Sequence, residues 1–168
     1  MFETWLWADD PDVILSCGNG YGHAFPRHWH DEIHVCAYTA GRGHLRAGGA
    51  TWRIASGDLV VSPVGEVHEN WVSRTDTCSF HSAYLGVDLI DAAANNVVGR
   101  SVRIVGWLHG DRGAVVRRAL ADVHAAQADP DRLFRDECMS RLASVIVTRC
   151  GEGQPDARRL TRERAAVR

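Results

Sequence analysis

Between Val13 and Ile104 the chain is cut into eight short β-rich runs. They are VILSC (13–17), IHVCAYT (33–39), HLRA (44–47), TWRIA (51–55), LVVS (59–62), HENWVS (68–73), CSFHSAYLGV (78–87) and SVRIV (101–105). Glycine-bearing turns stand between several of them: Gly41-Arg42-Gly43, Gly48-Gly49 and Gly57-Asp58. Glycine supplies the positive φ values that tight hairpins need. Many short strands at such spacing predict an antiparallel sandwich or barrel.

After Asp111 the period changes. Val116, Leu120 and Val123 recur at helical spacing, and a second stripe follows at Phe134, Cys138, Leu142, Val145 and Ile146. Asp129-Pro130 reads as an N-cap followed by proline at the first helical position. The expected architecture is therefore mainly β: a barrel over 1–108, an antiparallel helical pair over 109–150 and a linker over 151–168. The stripes can pack on the chain's own barrel or leave part of their apolar surface for a subunit interface. The second use is favoured, because a small appendage has few places to bury two stripes.

Composition excludes several classes. No apolar run reaches the ~20 residues that span a bilayer, and the N-terminus has neither the basic region nor the apolar core of a signal peptide. The formal net charge of −2 gives no general affinity for nucleic acid. Five scattered cysteines without a C-x-x-C pair suit reduced thiols in a cytoplasmic protein.

Chemistry concentrates in YGHAFPRHWHDEIHVCAYTAGRG (21–43), which holds four of the nine histidines. Alternation along a strand places His28 and His30 on one face and Trp29 on the other. His34 at the start of the next strand would share its direction with Cys36 and Tyr38. A turn at Pro63–Gly65 would return the chain so that His68 and Asn70 face the same interior. Neutral imidazoles suit zinc, copper, nickel and iron. Three or four nitrogen ligands at ~2.0–2.1 Å would make a zinc site. The alternative is that only one or two rings point inward and bond to ligand or water. Trp52 and Trp71 flank the predicted pocket strands, where they can stack on a ligand or pack the core.

Two spacings carry a resemblance. Gly22 precedes His28-x-His30, then His34 and Gly41; Gly57 precedes Pro63-x-Gly65, then His68. These resemble the paired signature motifs of the cupin superfamily, which implies a jelly-roll barrel open at one mouth. His34 occupies the position where that family carries a glutamate, and Val72 the position of a common asparagine, with Asn70 nearby. The order of parts looks like the N-terminal sensor and dimerisation domain of AraC-type transcription regulators. That resemblance implies a small-molecule effector with Tyr38, Trp52 and Asn70 around it. It also implies a divalent transition metal (zinc first, nickel as the alternative) on His28, His30, His34 and His68, and a homodimer through the C-terminal helices. DNA would be met only through a helix-turn-helix domain; the eighteen residues after the second predicted helix are too few for one. No membrane contact is expected. The rival expectation is a small metal-dependent cupin enzyme, a dioxygenase or isomerase. The lost carboxylate argues against it, since the two-His-one-carboxylate triad of non-haem iron enzymes is unavailable.

Overall fold

The computed structural model describes residues 1–73, 75–105, 107–108 and 111–152. Among these, nine strands form a curled antiparallel barrel: β1 (Phe2–Trp7), β2 (Asp10–Tyr21), β3 (Ala24–His28), β4 (Ile33–Ala47), β5 (Ala50–Ala55), β6 (Leu59–Ser62), β7 (His68–Trp71), β8 (Cys78–Leu85) and β9 (Trp107–Leu108). Three helices complete it: α1 (Val87–Val98), α2 (Asp111–Ala126) and α3 (Arg132–Cys150). The fold is the cupin barrel with C-terminal helices that the motifs imply.

The long strand β4 is the hinge of the barrel. Its first half pairs β8 and β6, and its second half pairs β5 and β7. The order β1-β2-β8-β4-β6-β9 makes one wall, while β5, β4, β7 and β3 make the other. The change of wall falls at Gly41, with φ at +76° just after a register shift at Tyr38/Ala40. A Cβ there would lie 2.0 Å from the Thr77 carbonyl oxygen, so only glycine lets β4 cross at this point.

Parity along β4 divides the core into two clusters. Val35 and Ala37 join Leu15, Val61, Ala83 and the helices in one. Cys36 and Tyr38 join Leu45, Trp52, Ile54 and Phe80 inside the barrel. The middle of the first wall is buried on both faces: the first six residues of β4 and all four of LVVS are buried, and LVVS accordingly reads as a continuous apolar run.

The helices differ from expectation in three ways. An additional helix, α1, begins at Val87, where a strand was expected to end; it buries Ile90, Ala93 and Ala94. SVRIV at 101–105 is not a strand: Ile104 makes an isolated bridge to Gly151, and Val105 N donates to Cys150 O. The N-cap of α3 is Asp131, not Asp129. Asp131 Oδ1 accepts from Leu133 N and Phe134 N at 2.9 and 3.3 Å, while Asp129 Oδ1 accepts from Asp131 N. Sequence could not choose between two aspartates two residues apart.

Most of both helical stripes is buried within the chain, α2 against β8, β6 and α3, and α3 against α2 and α1, while Phe134 stays exposed. Val116, Leu120, Val123, Leu142 and Ile146 are wholly buried. Asp9, in the β1–β2 turn, receives Arg135 at 2.7 and 2.9 Å and so ties the start of α3 to the barrel. The expected linker lies outside the described residues beyond Glu152.

Candidate metal centre

Three of the four predicted histidines converge. His28, His30 and His68 each present one ring nitrogen, and the three atoms lie within 4.8 Å of one another. His28 ends β3 and His68 begins β7, directly opposite each other in the β3–β7 ladder. His30 lies beyond the end of β3, so a bend rather than strand alternation brings it beside His28, ring centroids 4.7 Å apart. The Pro63–Gly65 turn fixes that bend: Gly65 N donates to His30 O at 2.9 Å, with Gly65 at φ +72°. Two segments far apart in sequence are thereby stitched at the site.

Hydrogen bonds select the free nitrogens. His28 Nδ1 lies 2.6 Å from Pro26 O, and His68 Nδ1 lies 2.9 Å from Glu66 O. A carbonyl only accepts, so both Nδ1 atoms carry hydrogen and each Nε2 lone pair is left for a cation. His30 Nε2 is buried without a partner. Burial first, then the charges of His68 and His28, push His30 down to about 4. Burial also lowers His68, against the opposing bond to Glu66 O. Burial thus favours the neutral, metal-binding form of His30 and His68.

His34 stands one ring further away. Its centroid is 5.5 Å from His30 and 6.1 Å from His68, and its ring stacks on Tyr84 at 4.5 Å. It is buried, its Nδ1 has no partner, and burial holds it well below the ordinary histidine range. Tyr84 also meets the His30 ring edge-on at 4.8 Å, and burial pushes its phenol up to about 12. Among the described residues the metal-ligating group includes no carboxylate.

Beyond the imidazoles lies a chamber with about 30 Å³ of room. Tyr38 and Asn70 line it as expected, with Asn70 Nδ2 donating to Tyr38 Oη at 3.5 Å. Trp52 is buried in the apolar cluster around Tyr38 and is not among the lining residues. Sequence reasoning missed Phe2, Phe25, Phe80 and the Ser16–Ser82 hydroxyl pair, 2.6 Å apart. Parity alone would have found part of this set, because Phe80, Ser82 and Tyr84 alternate along β8. The same parity sends His81 to the opposite face. There it stacks on His124 of α2 at 4.6 Å, and His124 Nε2 bonds to Ser82 O at 3.0 Å. His124 is thus part of the joint between barrel and helix.

The sequence and the fold resemble known proteins. The sequence model of the AraC-like ligand binding domain matches residues 10–143. The crystal structure of the AraC-like transcriptional activator CuxR superposes with a TM-score of 0.61 at 11% identity, over 81% of this chain and 51% of that one. This chain thus spans about half the length of that activator. A cupin 2 conserved barrel domain protein from Salinispora arenicola aligns at 19% identity and a TM-score of 0.45, over 56% of this chain and 82% of that one. No curated protein sequence matches significantly. With most of its length spanned by that one family's pattern, and with the barrel and helices in the order of a solved AraC-like activator, the chain belongs to the AraC-like ligand binding domain family.

Proposed function

We propose that this chain is the effector-sensing and dimerising unit of a transcription regulator, with a divalent metal, zinc first, held by His28, His30 and His68. The observation that carries this reading is the convergence of three imidazoles, one ring nitrogen of each within 4.8 Å of the others, beside the chamber. His34 completes the set as a fourth ligand or as the nearest hydrogen-bonding ring. When bound, the metal would supply a Lewis-acid anchor for one donor atom of the effector. The chain's own residues do the rest. Tyr38, Tyr84 and Phe80 exclude water, and Asn70 offers an orienting amide.

A sensor must pass occupancy outward. Ser82 belongs to both compartments, because its hydroxyl lines the chamber and its carbonyl holds His124 of α2. A ligand shifts such a joint only by binding one arrangement more tightly than the other. For dimerisation, α2 and α3 leave the apolar side chains of Val115, Leu133 and Phe134 exposed. DNA recognition would belong to a helix-turn-helix domain outside these residues. The sensor reading is favoured over a catalytic cupin because the chamber lining holds no carboxylate to act as a general base, and burial keeps its phenols protonated.

The test is metal content. Purified protein should carry or take up about one zinc per chain, and the His30→Ala/His68→Ala double variant should lose it. Unchanged stoichiometry in the double variant would refute the centre.

A further inference from the structure

We infer that the barrel chamber selects a short hydroxylated monocarboxylate, with Phe80 setting the size limit and Asn70 reading the hydroxyl. This rests on the reading of the chamber as the effector site. It deepens that reading by naming the ligand class.

Size comes first. The room is about 30 Å³. A water needs roughly 10–15 Å³ of such space, so two or three waters fit; covalently bonded atoms sit closer together, which allows a ligand of about five non-hydrogen atoms. The walls are fixed by aromatic packing. The Phe80 ring lies against Gly18, where even a Cβ would come within 2.5 Å of Phe80 Cε1. Phe80 therefore cannot retreat toward β2. Phe2 and Tyr38 close its other sides, each with ring centroids 6.2 Å from Phe80. A pentose or a benzene ring is too large for the space these rings leave.

Charge comes second. Among the described residues no lysine, arginine, aspartate or glutamate lines the chamber. An ammonium group would find no carboxylate to match its charge. A cation held by the three imidazoles would be the only full charge, and burying it unmatched is costly. One carboxylate offsets half the charge of a divalent ion, and room for about five non-hydrogen atoms leaves no space for a second.

The hydrogen-bond inventory decides the rest. The hydroxyls of Ser16 and Ser82 are engaged with each other. Asn70 Oδ1 is buried and has no donor. An amide oxygen only accepts, so a complementary ligand brings an O–H. Asn70 is two residues beyond His68 on β7 and shares its face; the two Cα atoms are about 6.6 Å apart at the usual strand rise. A short acid can lay its carboxylate toward the imidazoles and its hydroxyl toward Asn70. Glycolate is the simplest molecule of this class.

The experiment titrates zinc-loaded protein calorimetrically with glycolate, acetate, benzoate, inorganic phosphate and ribose. Glycolate should bind about tenfold more tightly than acetate, the worth of one buried hydrogen bond. Benzoate and ribose should show no saturable binding, and phosphate should bind more weakly than glycolate. Asn70→Ala should bring glycolate to the level of acetate without weakening acetate. Phe80→Ala should admit benzoate; Phe80→Leu is the second variant if the first does not fold. Equal affinity for glycolate and acetate overturns the inference, as does tight benzoate or ribose binding by the wild type. If zinc loads at one per chain but no acid binds, this inference fails and the metal centre stands. If zinc does not load, the metal centre fails and the inference falls with it.

Discussion

The joint between barrel and helix α2 makes a quantitative prediction about acid. His124 is packed between His81 and Trp5, ring centroids at 4.6 and 5.7 Å, and bonds to Ser82 O. Burial first, and the charge of His81 second, push it from 6.5 down to about 4, against the opposing effect of the Ser82 carbonyl. In the unfolded chain this ring protonates near 6.5; in the folded chain it does not. The unfolded state therefore binds the extra proton between these values, and folding stability falls as pH drops through 6.5 toward 4. Linkage between about pH 7.5 and pH 5 gives a loss of about 2 kcal/mol from this one group. That is a large share of the 5–15 kcal/mol typical of a domain. His124→Gln keeps a donor for Ser82 O but cannot titrate. In guanidinium unfolding with chelator present, wild type and variant should both lose stability over this range. The loss should be about 2 kcal/mol smaller in the variant. Parallel curves, differing by less than about 0.5 kcal/mol between the two pH values, would refute the buried-neutral assignment of His124.

Two further outcomes follow from the packing. Gly41→Ala places a side chain at positive φ and drives its Cβ into the Thr77 carbonyl, so the variant should lose at least about 2–3 kcal/mol in thermal or denaturant unfolding. Sedimentation of the wild type at micromolar concentration should report a dimer, and Leu133→Ser/Phe134→Ser should shift it toward monomer; a wild type that stays monomeric at high concentration sinks the helix-mediated interface.

Much of the site was legible because its signals are local. His-x-His before a strand, Pro-x-Gly before His68 and the parity of His34, Cys36 and Tyr38 all survive folding, since period and turn chemistry act over a few residues. The reading erred where distant segments compete for the same surface. Trp52 sits at a plausible parity, yet Tyr38 and Leu45 take its ring into their cluster. His124 looks like a surface histidine on α2 until β8 supplies a carbonyl and a second imidazole. Phe2 closes the chamber from an N-terminal strand that no nearby residue announces. The helical stripes were legible as stripes, but their partner was not, because an apolar face specifies that it will be buried and not by what.

The amino-acid order by itself determined the two-sided β-pattern, the glycine corners and a cluster of imidazole nitrogen donors, since each follows from φ preference, side-chain alternation and residue chemistry. Tertiary structure alone decided that His30 meets His68 by a bend, that the chamber is lined without a formal charge, and that Ser82 touches both chamber and helix. Those facts depend on contacts between segments dozens of residues apart, and register between distant strands is fixed only when the whole barrel closes.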